Sequence, residues 1–339
     1  MSEILTWSAL SIVGVGFFVG VVVGLTGMGG GALMTPALIL LGFADASAVV
    51  TADLTAAAVY KTGGAVVHSK HGQPNLKLAA WLISGSVPMA FLGPFFFHAV
   101  AGEGENLQND LKVAIGIALL FAASTYALRL YLQLRRVQRG GMTHTENPTV
   151  RPVPTLLVGA LGGLLVGITS VGSGSVIMIA LLMLYPGLSA LRLVGTDLVQ
   201  AVPLVLSAAI SNIIVNHGVE WGLLVPLVIG SLPGSMLGSR IAPRVPQSWI
   251  RRGIIVVLVM SGLALLDKAG HGPQELFRAI GLSGIADSAQ FPLFYLLVGA
   301  VLLVVIPMVW RKLREHEGLT SQGHPTVTEL EDEEGVGHN

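Results

Sequence analysis

Long apolar runs dominate this chain. They fall at residues 4–26, 30–42, 46–68, 77–98, 111–133, 154–170, 174–186, 190–214, 221–239, 253–266 and 291–310. Polar or Gly- and Pro-rich breaks separate them, which is the punctuation that ends helices. Several runs exceed the ~20 residues that a helix needs to cross a bilayer. A transmembrane barrel would instead show ~10-residue segments of alternating polarity. The pattern predicts an all-α, polytopic membrane protein. Two runs, 30–42 and 174–186, have 13 residues each and are short for a crossing. Both follow a glycine-rich octet: GLTGMGGG at 24–31 and GITSVGSG at 167–174.

Composition agrees with the pattern. Of the 339 residues, 53% are hydrophobic and 11% charged, against ~25% charged in a soluble domain. The net charge is zero, so nucleic acid is not implied. The absence of cysteine removes disulfides, thiol nucleophiles and thiolate metal sites. The N-terminus, MSEILTWSAL, lacks the basic region of a signal peptide and reads as the first membrane segment.

The two halves repeat. Gly24, Thr26, Gly29 and Gly31 match Gly167, Thr169, Gly172 and Gly174 at an offset of 143. Asp53 matches Asp197 at 144, His71-Gly72 matches His217-Gly218 at 146, and GSVP (85–88) matches GSLP (230–233) at 145. Four pairs in order at nearly constant spacing indicate duplication.

Lys and Arg concentrate in cytoplasmic loops. With the basic stretch 134–152 placed inside, 15 of the 19 basic residues fall on the cytoplasmic side. The N-terminus is then outside and the C-terminus inside. Loop 69–77 lies inside, whereas its counterpart at 215–221 lies outside. The halves are therefore expected to have inverted topology, a recurrent plan of secondary transporters. The expected organisation is a first transmembrane repeat (4–133), a cytoplasmic basic linker (134–152), a second repeat (153–267), an extracytoplasmic loop (268–290), an extra transmembrane helix (291–314) and a disordered acidic cytoplasmic tail (315–339).

The glycine octets carry the candidate chemistry. A helix can break at membrane depth only where the break is buried in protein or lines a wet cavity. Glycine permits the backbone angles of such a break and lets a ligand come close. The helix restarting after each break has unpaired N–H groups with partial positive charge. Two such ends, one per repeat, form an anion site without Lys or Arg. Thr26, Gly27, Gly29, Gly30 and Gly31 in the first octet, and Thr169, Ser170, Gly172, Ser173 and Gly174 in the second, are the candidate substrate-binding residues. The alternative is that the glycines serve close packing alone, the role expected for Gly20, Gly24, Gly159 and Gly163.

Asp53 and Asp197 are the acids clearly within membrane segments, a costly placement and hence a functional candidate. They read either as proton or cation carriers or as carboxylates buttressing the neighbouring octet. Lys61 lies mid-segment. It either contacts the anion or pairs with Asp53, two turns away. His68 and its counterpart Asn212 stand near segment ends as candidate support residues. Pro88 and Pro233 are expected to shape their helices. Trp7, Trp81, Trp221, Trp249 and Trp310 stand near segment ends, as interfacial anchors do.

GLTGMGGGALMTPALILLG, its weaker copy GITSVGSGSVIMIALLML and the paired GSxPxxxLG motifs resemble the sulfite exporter TauE/SafE family of bacterial and archaeal permeases. The resemblance covers roughly residues 10–266. It implies transport of small sulfur-containing or carboxylate anions such as sulfite, thiosulfate or sulfoacetate. The family's glycine segment falls on Gly27, Gly29, Gly30 and Gly31, and on Gly172 and Gly174. Ser170 and Ser173 replace Gly27 and Gly30 in the second copy, so the half-sites are not equivalent.

The expected function is secondary export of a small sulfur oxyanion by alternating access across the cell membrane. A cation-coupled transporter or channel using Asp53 and Asp197 is the alternative. No GxSxG, HExxH or Walker motif supports an enzyme or an ATP-driven pump. No metal or cofactor is expected. The expected partners are the lipid bilayer and a small anion, with a homodimer as the candidate assembly and no nucleic acid.

Overall fold

The computed structural model describes residues 2–26, 30–69, 74–138, 149–172, 174, 176–185, 187–188, 190–241, 244, 247–279, 294–295, 297–302 and 308. Every element named below is an α-helix. The first half holds α1 (Ser2–Thr26), α2 (Gly31–Leu41), α3 (Ala46–Ser69), α4 (Leu76–Ala101) and α5 (Glu105–Gln138). The second holds α6 (Pro152–Thr169), α7 (Val176–Leu184), α8 (Ala190–Val215), α9 (Trp221–Ile241) and α10 (Gln247–Lys268), followed by α11 (Pro273–Ala279). Among the described residues six helices are long and apolar enough to cross a membrane, or seven if α10 and α11, bent by 58°, form one span. The chain is a multi-pass membrane protein.

Several boundaries differ from the sequence reading. α5 runs through Gln138 into the expected linker, and α10 starts at Gln247 rather than 253. Residues 273–279 of the expected loop are helical. Polar residues marked an element end in the sequence, yet the helices continue through them, because a helix satisfies its own backbone wherever it goes. The extra helix at 291–314 and the tail lie largely outside the described residues.

The short segments after the octets are short helices, of 11 residues in α2 and nine in α7. α2 ends on Gly42, a left-handed residue with φ 74° whose N–H returns to the Ile39 carbonyl. Lys268 Nζ, at the end of α10, also donates to that carbonyl at 2.7 Å. A cation is placed where the helix dipole is negative.

Helix packing is reciprocal between the halves. The most extensive interfaces join α1 to α9 and α4 to α6. Gly16, Gly20 and Gly24 of α1 abut Leu227, Ser231 and Ser235 of α9. Gly159, Gly163 and Gly167 of α6 abut Leu82, Ser86 and Ala90 of α4. Each glycine in the second set stands 143 residues after one in the first, and Leu227, Ser231 and Ser235 stand 145 after Leu82, Ser86 and Ala90. The partners face each other backbone to backbone, as small-xxx-small helices do. In both interfaces residue numbers rise together, so the paired helices run parallel.

Counterpart helices cross each other in opposite directions. Near the start of α3, Thr51 Oγ1 accepts from Asn216 Nδ2, just past the end of α8, at 3.0 Å. Beyond the end of α3, the Asn75 N–H donates to Thr196 Oγ1, near the start of α8, at 3.0 Å. α3 and α8 are therefore antiparallel. α5 and α10 cross at Gly116 and Gly262, with Leu266 over the first glycine and Leu120 over the second, again antiparallel.

α3 stands at the centre. From Ala46 to Ala58 it is buried at all but a few positions, and a helix buried on all sides belongs inside a bundle. The outer helices turn Phe18, Leu92, Phe96, Phe121, Leu161 and Ile210 outward, which suits a surface wrapped by lipid. Trp7, Trp81 and Trp221 are exposed as well. α4 contains Pro88 and Pro94. Close to them, Ser207 and Ser211 of α8 donate to the carbonyls of Val87 and Phe91 at 2.8 and 2.5 Å, so hydroxyls of one helix bond the backbone of its neighbour inside the bundle.

Candidate functional site

Both octets are real breaks, and they meet. α1 ends at Thr26. Gly30 then caps α2, its carbonyl accepting the N–H groups of Leu33 and Met34 at 2.9 and 2.8 Å. In the second half α6 ends at Thr169, and Ser170 follows in the left-handed region with φ 60°. Such a φ is uncommon for a residue with a side chain. Here the Ser170 N–H is held by the Val166 carbonyl at 2.8 Å. Gly172, at φ 118°, completes the reversal, and its carbonyl starts α7 by accepting from Val176 at 3.1 Å. Gly31 of the first break lies directly on the Ser170 backbone carbonyl, where no β-carbon would fit.

Asp53 of α3 ties this junction together. It is 1% exposed. Its Oδ2 accepts from Thr35 Oγ1 of α2 at 2.6 Å and from Ser170 Oγ of the opposite half at 2.9 Å. Its Oδ1 has no hydrogen-bond partner among the described residues. That oxygen lies 3.8 Å from where a β-carbon on Gly30 would stand. Tyr60, two turns along α3, accepts the Gly30 N–H on its hydroxyl at 2.9 Å. The N-terminus of α2 thus faces a phenol and a carboxylate, both suited to its partial positive charge.

Lys61 follows Tyr60 and is half-buried. It lies in the electrostatic field of Asp197 first and Asp53 second. The sequence offered Asp53 as its intramolecular partner. The fold adds Asp197, because α3 and α8 cross here in opposite directions.

Other candidates have structural partners. The Thr169 hydroxyl donates to the Leu165 carbonyl at 2.7 Å and accepts the Val171 N–H at 3.2 Å. Asn212 Nδ2 donates to the carbonyls of Gly167 and Ala208 at 2.8 and 2.9 Å, steadying α6 ahead of its break. Thr26 closes α1 and His68 lies near the end of α3, but their side chains are outside what is described. Gly27, Gly29 and Ser173 lie outside the described residues, and Gly174 sits in the turn before α7.

Two residues of the junction were missed in the sequence. Thr35 sits in the run GALMTPAL and Tyr60 in AAAVYKTGG. A hydroxyl deep in an otherwise apolar segment needs a partner, and that was the available signal.

The comparisons with known proteins point one way. Residues 12–265 match the family described as Sulfite exporter TauE/SafE. "Probable membrane transporter protein YjnA" of Bacillus subtilis (strain 168) is 36% identical over 259 residues, covering 76% of this chain and all of that protein. "Probable membrane transporter protein YdhB" of the same organism is 25% identical over 251 residues, covering 74% of this chain and 97% of that protein. No solved structure matches the chain significantly. The match spans both glycine breaks and the helices that bring them together, and the chain belongs to the sulfite exporter TauE/SafE family of membrane transporters.

Proposed function

We propose that this transporter exports a small sulfur-containing oxyanion, sulfite or an organosulfonate such as sulfoacetate, across the cell membrane by alternating access. The observation that carries the reading is the junction of Gly31 with Ser170: broken backbone from both halves meets at one buried point. The half-buried ammonium of Lys61 supplies a cation beside it. An oxyanion is recognised at such a place by helix N-termini, hydroxyls and one flexible charge. Thr35 and Ser170 donate to Asp53 in this conformation, and anion entry requires them to exchange that partner for the substrate.

The repeats are taken as inverted. Reciprocal α1/α9 and α4/α6 packing, together with antiparallel crossings of α3 with α8 and α5 with α10, supports a two-fold axis lying across the helices. Such an axis lies in the plane of the membrane, and alternating access then follows from rocking one half against the other. The distribution of Lys and Arg favours an outside N-terminus and a cytoplasmic C-terminus. The alternative, a cation held between Asp53 and Asp197, is disfavoured by Lys61, a fixed cation in the field of both carboxylates.

Flux of labelled sulfite and sulfoacetate into proteoliposomes tests the proposal. Saturable flux is expected, and Lys61→Met should weaken apparent affinity about tenfold or more, the scale of one lost charged hydrogen bond. No saturable flux of any sulfur oxyanion or short carboxylate would overturn it.

A further inference from the structure

Two groups of the junction stand side by side with bonding capacity left over. Asp53 is 1% exposed, and its Oδ2 takes both hydroxyl donors, from Thr35 at 2.6 Å and from Ser170 at 2.9 Å. Its Oδ1 accepts from no described residue. The Tyr60 hydroxyl accepts the Gly30 N–H at 2.9 Å, and its own proton has no acceptor among the described residues. Both oxygens approach one point, the place that a β-carbon on Gly30 would take. Oδ1 lies 3.8 Å from it, and the phenol oxygen is closer still. Gly30 is buried, and its missing side chain keeps that point open at the N-terminus of α2.

An acceptor short of a donor, beside a donor short of an acceptor, suits a guest atom that is both. An oxygen carrying a proton is such an atom: its O–H donates to Oδ1 and its lone pair accepts from the phenol. Water meets that description in the resting transporter. A proton-free oxyanion does not, because it sets a second negative lone pair against Oδ1. Asp53 is read as the carboxylate, since both of its bonded neighbours donate to it. A carboxylic acid there would donate from Oδ1 and welcome a proton-free oxyanion, the opposite selectivity. The elements around the pair bring few other charges. α3 itself brings Lys61, and α8 brings Asp197. α2 and the break after α6 bring hydroxyls and backbone, Arg240 stands in the last turn of α9, and the charges among the described side chains of α5 stand within its first two turns.

We propose that Asp53 Oδ1 and the Tyr60 hydroxyl form a specificity-determining pair that selects an oxyanion carrying one proton, of the hydrogensulfite type, over sulfate and proton-free sulfonates. The inference rests on the export reading and narrows it. The O–H of the ligand donates to Oδ1, a ligand oxygen accepts from Tyr60, and the negative charge has Lys61 as its counterpart. No proton changes owner, since the ligand arrives and leaves with its own. A site built around a ligand O–H rejects the analogue that lacks it, because buried polar groups are then left unpaired.

Calorimetric titration of the full chain in lipid nanodiscs with sulfite, selenite and methanesulfonate, repeated across pH, tests the pair. Affinity for sulfite and for selenite should fall about tenfold per pH unit above the second ionisation of each acid. The two breaks should differ by as much as those ionisations differ, because the ligand's proton is the one that is read. Methanesulfonate should bind about tenfold or more weakly than sulfite at the acid end, with no such break. Asp53→Asn offers an amide donor in place of the acceptor, so the break should vanish and methanesulfonate should gain on sulfite. Tyr60→Phe should weaken sulfite and selenite several-fold and leave both breaks in place. If Asp53→Asn fails to fold, the offset between the two ligands in the unaltered protein carries the test. Methanesulfonate binding as tightly as sulfite, sulfite and selenite breaking at the same pH, or a break that survives in Asp53→Asn would overturn the proposal. Saturable flux of sulfite and methanesulfonate without preference would overturn it and leave the export reading standing, whereas no saturable flux of any sulfur oxyanion would sink both.

Discussion

At Gly31 the two halves touch through backbone. A methyl group there would collide with the Ser170 carbonyl, and backbone has no rotamer with which to yield. Gly31→Ala is expected to cost about 1–3 kcal/mol, the usual scale of overpacking. Thermal unfolding in detergent should show it as a lower melting temperature, together with loss of flux. Gly14, also in a helix, has open space around it, and Gly14→Ala should leave both unchanged. Equal effects at the two positions would mean that the close approach is not what Gly31 provides. Around the same point, Asp53 accepts from the hydroxyls of Thr35 and Ser170 rather than from octet backbone. The octet on the opposite half is the one it holds, which spacing along the chain could not indicate.

The helices of the two halves pack in matching ways. Gly20 of α1 faces the Ser231 backbone, and its counterpart Gly163 of α6 faces Ser86, the counterpart of Ser231. Equivalent surroundings should give equivalent penalties. Gly20→Ala and Gly163→Ala are expected to lower the melting temperature by similar amounts, within about twofold, at roughly 1–3 kcal/mol each. A large loss in one alone would show that the two interfaces differ in strength despite their matching geometry. The α2 and α7 helices were legible as short segments because glycine ended the run before them. That Gly31 would rest on the Ser170 carbonyl was not, because that contact depends on α1 and α6 each packing against a helix of the other half.

For the whole molecule, the crossing directions of α3 with α8 and of α5 with α10 carry the argument about topology. The chain has no cysteine, so any introduced thiol is unique. His217→Cys and Glu103→Cys should react with an impermeant maleimide in intact cells. His71→Cys and Thr143→Cys should react only after permeabilisation. Labelling of His71→Cys and His217→Cys from the same side would overturn the inverted arrangement, and a complete reversal of the pattern would turn the molecule over in the membrane.

Hydrophobic runs, glycine octets and duplicated motifs were enough to define a helical membrane transporter of this family and to locate two helix breaks, because bilayer thickness and backbone hydrogen bonding leave few other readings of such a pattern. Which residues converge at the breaks was decided by tertiary structure. Thr35, Ser170 and the α3 pair Asp53 and Tyr60 come from three separate stretches of chain, and Lys61 comes into the field of Asp197 through a crossing of helices far apart in sequence. Local periodicity tells which face of a helix is apolar, but the partner of a buried polar group is set by the packing that buries it.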